Sequence, residues 1–479
     1  MQKTSRTFPR CPLAGMALSL LLAACAVGPD YRRPDIATPT QWQAPLPHDG
    51  QLDQLGNWWA QFQDPVLDEL QRAAQADSPS LDKASAAIRL ARANLRSAGA
   101  AELPTVKGTT SSTQSGTKQG NGAMPVTTTT GRLDASWELD LFGGTRRSVE
   151  SGSALRDARE ADWHDARISL AAEVATTYVG YRACQLKLSA YEDTLRSQRA
   201  TAELTQLSVK AGFTAPADGS LADAGAASAS ASAIAQAAEC EVSIKSLVAL
   251  SGLDESRVRS LLGSRPATLP QPATRTVDSV PAQLLTQRPD LVSAERAVAS
   301  ASAQIGVAEA ARYPSLTLNG SISLSASSGT SSLPWSFGPT LTIPVFNGGA
   351  LAAKVEAARA NYDSALATYK SSVRTAVKEV EQALVRLDGA VRREDDARRS
   401  AEGYRAYVTA SEANWRAGGT SLLNLETARR NAITAELNLI SLQQARVEYW
   451  IALYKAMGGG WQADAPSKAS TEQAPPPRI

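Results

Sequence analysis

Beyond its first 25 positions the 479-residue chain has no apolar run of about 18 residues, so no helix is expected to cross a bilayer and any crossing falls to strands. Aromatics make up only 5% of the sequence, too few for an ordinary compact enzyme core. The two histidines, His48 and His164, are far apart and in no metal-ligand spacing. There is no phosphate-binding Walker loop and no nucleophile elbow. The glycine pairs Gly143-Gly144 and Gly348-Gly349 and the run Gly458–Gly460 read as turns and caps. No catalytic, cofactor-binding or metal residue is therefore expected, and the chain is not read as an enzyme. An excess of charge is also missing: 49 basic residues face 47 acidic ones, which gives nucleic acid no electrostatic handle. Only four cysteines are present.

The front of the chain carries an address. Lys3, Arg6 and Arg10 precede the short apolar stretch Leu13–Ala24, the pattern of a secretory signal peptide over residues 1–24. It ends in Leu22-Ala23-Ala24-Cys25, which matches the lipobox of bacterial lipoproteins. Cys25 is the expected lipidation site, the alternative being an ordinary signal peptide with an incidental cysteine. Ala26 rather than aspartate follows, which favours sorting to the outer membrane. Three acyl chains suffice for stable anchoring.

Behind the leader the chain is written twice. Offset by 206 positions, Ser208–Thr214 lies over Asn414–Thr420, Glu150 over Glu356, Asp157 over Asp363 and Glu173 over Glu379. A slightly larger offset lays Pro104 over Pro314. Two copies of so long a unit point to a duplicated module in which each copy supplies half of one object. The boundaries read are a lipid-anchored arm at 25–70, repeat 1 at 71–262, a Pro/Thr-rich equatorial connector at 263–281, repeat 2 at 282–460 and a disordered tail at 461–479.

Each repeat is built on a very long helix. Ala350–Arg416 has no proline and only two glycines, and at 1.5 Å per residue it would reach about 100 Å. Leu155–Ala211 is similar. Val373, Val377, Val380, Leu384 and Leu387 form a single stripe, so such a rod has to pack laterally in a coiled-coil-like wall. The partner helices, Asp290–Arg312 and Ser421–Met457, are shorter.

Between the helices the pattern changes. Residues 104–142 and 314–346 are rich in Ser, Thr and Gly. In Ser315–Ser325, Leu316, Leu318, Ile322 and Leu324 alternate with polar residues, a period of two; Trp335–Val345 follows. Thr105–Ser115 and Thr127–Leu141 read as a more polar hairpin. Strands of about ten residues suit a membrane barrel, with Trp137, Phe142, Trp335 and Phe337 as candidates for interface girdles. Four strands cannot close a barrel and open edges are not tolerated in lipid, so the chain is expected to oligomerise.

Cys184 and Cys240 have their midpoint at Gly212, the centre of an expected helix–helix turn. Antiparallel helices leaving that turn bring both to one height, and the periplasm is oxidising. A disulfide is expected, the alternative being two buried free thiols.

The chain resembles the outer membrane factors, the TolC-like channels, and most closely their lipoprotein branch (OprM-like, NodT-type). The carriers are Cys25–Tyr31, Trp137–Gly143, Gln287–Leu291, Pro344–Gly349 and Gly458–Trp461. The resemblance implies a mainly α fold with membrane β: a long helical barrel continuous with a transmembrane β-barrel, four strands per subunit and twelve in a homotrimer. It implies a lipid-anchored outer membrane protein reaching into the periplasm, with a periplasmic adaptor and an inner membrane pump of the resistance-nodulation-division (RND) class as partners. The function implied is passive conduction of drugs or other small toxic compounds; the alternative is the duct of a type I protein secretion system. A periplasmic adaptor is disfavoured by the duplication and the alternating strands. The resemblance also implies a periplasmic gate at the turns around Gly212 and Gly418, with Gly212, Thr214, Gly418 and Thr420 facing the adaptor. Where many relatives carry an acidic ring, this chain has Asn424 and Thr427, so Asp218 and Glu426 are expected to supply the negative charge of the entrance. The alternative is that Glu426 is a solvated helix-surface charge.

Overall fold

A computed structural model describes residues 26–36, 43–44, 59, 61–119, 122–271, 288–327 and 330–459. The signal peptide, Cys25, most of the arm, the connector beyond Gln271, and the tail lie outside the described residues. The elements in chain order are α1 (Pro65–Ala76), α2 (Pro79–Ala100), β1 (Thr105–Gln119), β2 (Gly122–Leu139), α3 (Gly144–Lys210), α4 (Pro216–Ser251) and α5 (Glu255–Gly263). They continue with α6 (Pro289–Ala310), β3 (Ser315–Ser327), β4 (Thr330–Ser332), β5 (Trp335–Thr342), α7 (Ala350–Arg416) and α8 (Leu422–Ala456). The order helix, strands, long helix, helix occurs twice. Among the described residues no helix is long and apolar enough to cross a membrane.

The chain divides into two compact units. Of the described residues, the first holds those within 26–35, 85–160 and 293–371, the second those within 36–84, 161–292 and 372–459.

The first unit contains one antiparallel sheet in the order β1-β2-β3, with β4 and β5 both pairing to β3. β4 and β5 are one strand interrupted at Leu333-Pro334. A proline has no N–H for the ladder, and the Pro334 carbonyl instead accepts from Ser323 N at 2.9 Å. The sheet is thus four strands wide, and among the described residues it does not close on itself.

The second unit is helical. Its core gathers Leu67 and Leu70 of α1, Val174, Tyr178 and Val179 of α3, Leu247 of α4, Val380, Leu384 and Leu387 of α7, and Trp450, Ile451 and Leu453 of α8. Val373, Val380, Leu384 and Leu387 are buried and Val377 is half-buried, the single stripe a laterally packed helix needs. Asp64 caps α1, accepting from Val66 N at 3.0 Å. Its second oxygen accepts from the Tyr178 hydroxyl at 2.7 Å, which in turn accepts from buried Arg182 at 3.0 Å. That chain of bonds fixes α1 to α3.

Candidate functional site

The sheet separates its chemistry by face. Residues directly opposite across a ladder share a side. Leu139, Leu316 and Leu341 form one row, followed by Trp137, Leu318 and Pro339, then Val106, Ala135, Gly320 and Phe337, then Gly108, Leu133, Ile322 and Trp335, then Thr110, Gly131 and Leu324. Every side chain in these five rows except that of Thr110 at the edge of the last is apolar, and Val106, Leu133, Ile322, Leu324, Trp335, Phe337 and Leu341 are exposed. Eight residue steps at about 3.4 Å make a band of roughly 27 Å along the strands. The other face carries Lys107, Asp134, Ser321 and Ser336 in one row and Thr109, Arg132 and Ser323 in another. Ser136 with Asn319, and Glu138 with Thr317 and Thr340, complete it. Its groups pair with each other: Arg132 with Asp134 at 2.6 Å, Ser321 with Ser336 at 2.8 Å and Ser136 with Asn319 at 3.1 Å.

The four aromatics expected to mark a girdle do not share a row. Trp137, Phe337 and Trp335 fall in three successive rows, because they pair with the rows of Leu318, Gly320 and Ile322. Trp137 donates its indole N–H to the Glu102 carbonyl at 3.0 Å. Phe142 stacks on Tyr313, 4.7 Å between centroids, where both repeats pass between strand and helix.

Two of the sequence motifs cap these passages, and a third ties down the start of α6. In Trp137–Gly143, Asp140 accepts from Thr145 N at 3.1 Å and Arg146 N at 2.9 Å, capping α3 where its unpaired N–H groups and dipole favour an anion. In Pro344–Gly349, Asn347 accepts from Leu351 N at 3.3 Å. In Gln287–Leu291, Arg288 grips Asp290 through two bonds of 3.0 and 2.8 Å and reaches Glu379 and the Ala456 carbonyl. Burial works against the Arg288 charge, but these bonds prevail and hold its pKa above the usual guanidinium value.

The two helix–helix turns of the second unit are copies of one motif. Gly212 has φ +77° and Gly418 φ +74°, the left-handed conformation glycine adopts without a Cβ clash. Gly212 N donates to Val209 O at 3.0 Å and Phe213 N to Ser208 O at 2.9 Å; Gly418 N donates to Trp415 O at 2.9 Å and Gly419 N to Asn414 O at 2.8 Å. This is the Schellman pattern. Thr214 pairs with Ser208 at 2.5 Å, and Thr420 accepts from Asn424 at 3.2 Å. Ser421 caps α8. The four helix ends meet in Ala202, Ala222, Leu422 and Leu425, with Ala226 and Trp415 beside them, so both turns close the same four-helix end. Phe213 is 86% exposed, while its counterpart in the second turn is Gly419.

Asp218 is half-exposed in the first turn of α4, and Asn424 and Thr427 are exposed. Glu426 corrects both readings made of it: it is neither a free charge at an entrance nor a solvated surface group. It is 7% exposed, pairs with Arg429 at 2.9 Å and accepts from Gln198 of α3 at 3.1 Å. Buried Arg429 also reaches Ser197, Thr201 and Glu412, each at 2.8 Å. A charge this far from water stands only with such partners. Arg429 was not singled out from the sequence; its spacing to Glu426, three residues on one helix, was the available signal.

Cys184 of α3 and Cys240 of α4 are joined by a disulfide, with Cα atoms 5.6 Å apart. Among the described residues no cluster of His, Cys, Asp or Glu could hold a metal ion.

Against known proteins, the family described as outer membrane efflux protein matches residues 70–253 and 280–459, once over each half. Nodulation protein T of Rhizobium leguminosarum bv. trifolii is 32% identical over 461 residues, covering 92% of this chain and 96% of its own. The pyoverdine export outer membrane protein OpmQ of Pseudomonas putida is 31% identical, covering 96% of this chain and 100% of its own. The solved outer-membrane channel OprN superposes with a TM-score of 0.83 at 31% identity, over 92% of this chain and 100% of that one.

Proposed function

The chain belongs to the outer membrane efflux protein family, and from that premise we propose that it is the exit duct of a tripartite assembly for small toxic compounds. Its relatives are outer membrane channels rather than enzymes. The observation that carries the reading is the two-faced sheet: an apolar band of bilayer height backed by a face of hydroxyls and paired charges. Lipid on one side and water on the other is the arrangement of a barrel wall. A sheet four strands wide does not enclose a pore, so several chains have to combine; the family resemblance implies three chains with twelve strands, the long helices of both repeats (71–262 and 282–460) continuing the duct into the periplasm. Cys25 carries the lipid anchor.

Conduction is passive. The turns at Gly212 and Gly418 form the periplasmic tip, where Thr214, Thr420 and exposed Phe213 meet an adaptor. An RND-type inner membrane pump supplies the energy. Asp218 supplies the acidic charge of the entrance, since Glu426 is neutralised inside the helix bundle. Pyoverdine, the compound in one relative's name, is a small molecule, and that favours small-compound efflux over protein secretion.

The test is a growth-inhibition panel of antibiotics and toxic organic acids on a deletion strain and its complemented parent, with secreted proteins scored in the same cultures. Hypersensitivity to several compounds, restored by the gene, is expected. Loss of a secreted protein at unchanged sensitivity would move the assignment to a secretion duct.

A further inference from the structure

Five residues of the N-terminal arm, Ala26, Val27, Gly28, Asp30 and Tyr31, contact the rest of the first unit. Ala26 lies against Gly143, where a Cβ would come within 3.0 Å of the Ala26 Cα. Val27 N donates to the Phe142 carbonyl at 3.0 Å. Gly28, at φ +92°, packs backbone to backbone on Gly306 of α6. A Cβ on Gly306 would in turn stand 2.7 Å from Cγ of Arg147, so the arginine stem runs across that glycine to reach the arm. Its guanidinium donates to the Val27 carbonyl at 3.4 Å, the Gly28 carbonyl at 3.5 Å and Asp30 at 2.6 Å, with Glu150 holding the remaining arm at 2.7 Å. Tyr31 donates to buried Glu295; burial and that carboxylate push the phenol pKa well up. Arg147 is only 6% exposed. Burial opposes its charge, and Asp30 and Glu150 more than offset this.

We infer that Arg147 is a positioning residue for the lipid anchor: it registers the arm at the end of β2, so that acyl chains on Cys25 enter the leaflet beside the helix-proximal rim of the sheet. Cys25 is one peptide bond from Ala26, a Cα–Cα step of about 3.8 Å, and Val27 is bonded three residues beyond the last residue of β2. The anchor cannot stray far from that rim while the arm is docked. The inference rests on the lipid-anchor reading above.

The test uses the full-length protein with exposed Pro29 replaced (Pro29→Cys) and labelled with a thiol-reactive fluorophore; Cys184 and Cys240 are already joined. The protein is reconstituted in phosphatidylcholine vesicles, the N-terminal peptide is weighed for its acyl mass, and the fluorescence anisotropy of the label is read. High anisotropy is expected in the parent, whose arm is docked. In acylated Arg147→Ala it should fall toward that of a label on a free chain, because losing a charge-assisted hydrogen bond shifts the docked-to-free ratio by about tenfold. Equal anisotropy in the two acylated proteins overturns the inference and leaves the anchor standing. A parent without acyl mass overturns the anchor and the inference together. Should Arg147→Ala fail to assemble, Asp30→Ala decides the same comparison, because that side chain is 89% exposed.

Discussion

Arg429 and Glu426 show how a residue's meaning can change between sequence and structure. On the sequence, Glu426 belongs to a polar stretch just past a glycine turn. In the protein it is buried against α3, and its charge is balanced by Arg429. Removing one partner of a buried pair leaves the other uncompensated, at a cost of about 3–5 kcal/mol. Arg429→Ala should therefore lose hydrogen-exchange protection in residues 197–205 and 425–432. The double replacement Arg429→Met with Glu426→Leu should recover most of it, because no lone charge remains. Recovery no better than in the single variant would contradict this account. The partners Ser197, Gln198 and Thr201 lie on α3, far away in sequence, and Glu412 lies across the Gly418 turn on α7, so no single-helix pattern announced them. Gly212 and Gly418 were legible because a turn between long helices needs a residue tolerant of positive φ.

At the scale of elements, the helices were the most legible part. α7 occupies the proline-free span Ala350–Arg416. α3 starts at Gly144 rather than Leu155, because Asp140 caps it earlier. Gly152 is accommodated inside it where Leu95 packs close: a Cβ there would stand 3.3 Å from Leu95 Cδ1. The interruption between β4 and β5 was signalled by Pro334, whose cost to a ladder outweighed the alternation around it. The disulfide joins α3 and α4 across 56 residues, a closure worth up to about 4 kcal/mol in the chain-entropy estimate. Replacing Cys184 and Cys240 together by serine should lower the melting temperature under oxidising conditions without abolishing assembly. An unchanged melting temperature would show that the helix packing alone holds this hairpin.

At the scale of the whole molecule, the faces of the sheet make opposite demands on substitution. Leu133 lies on the apolar face between Gly108 and Ile322. Leu133→Arg would place a cation in hydrocarbon, costing about 2–4 kcal/mol near the midplane, and outer membrane yield should drop sharply. Ser321→Arg, on the polar face, should leave yield near that of the parent and change single-channel conductance instead. Similar yields for the two would remove the basis for assigning lipid and water sides. The alternation of β3 was readable; the agreement of four strands in one register was not, because β2 and β3 pair across almost 200 residues of chain.

That long-range pairing also sets an order in time. When β2 has been made, the strand it must pair with still lies about 180 residues ahead. At the usual 5–20 residues per second the wait is roughly 10–40 s. Throughout it the β1–β2 hairpin presents an uncovered apolar side, the kind of surface that invites aggregation and calls for a holding chaperone. Both cysteines of the disulfide are translated within the same interval, but their bond closes only once they reach the oxidising periplasm, so the α3–α4 hairpin is still unstapled while the chain is being made.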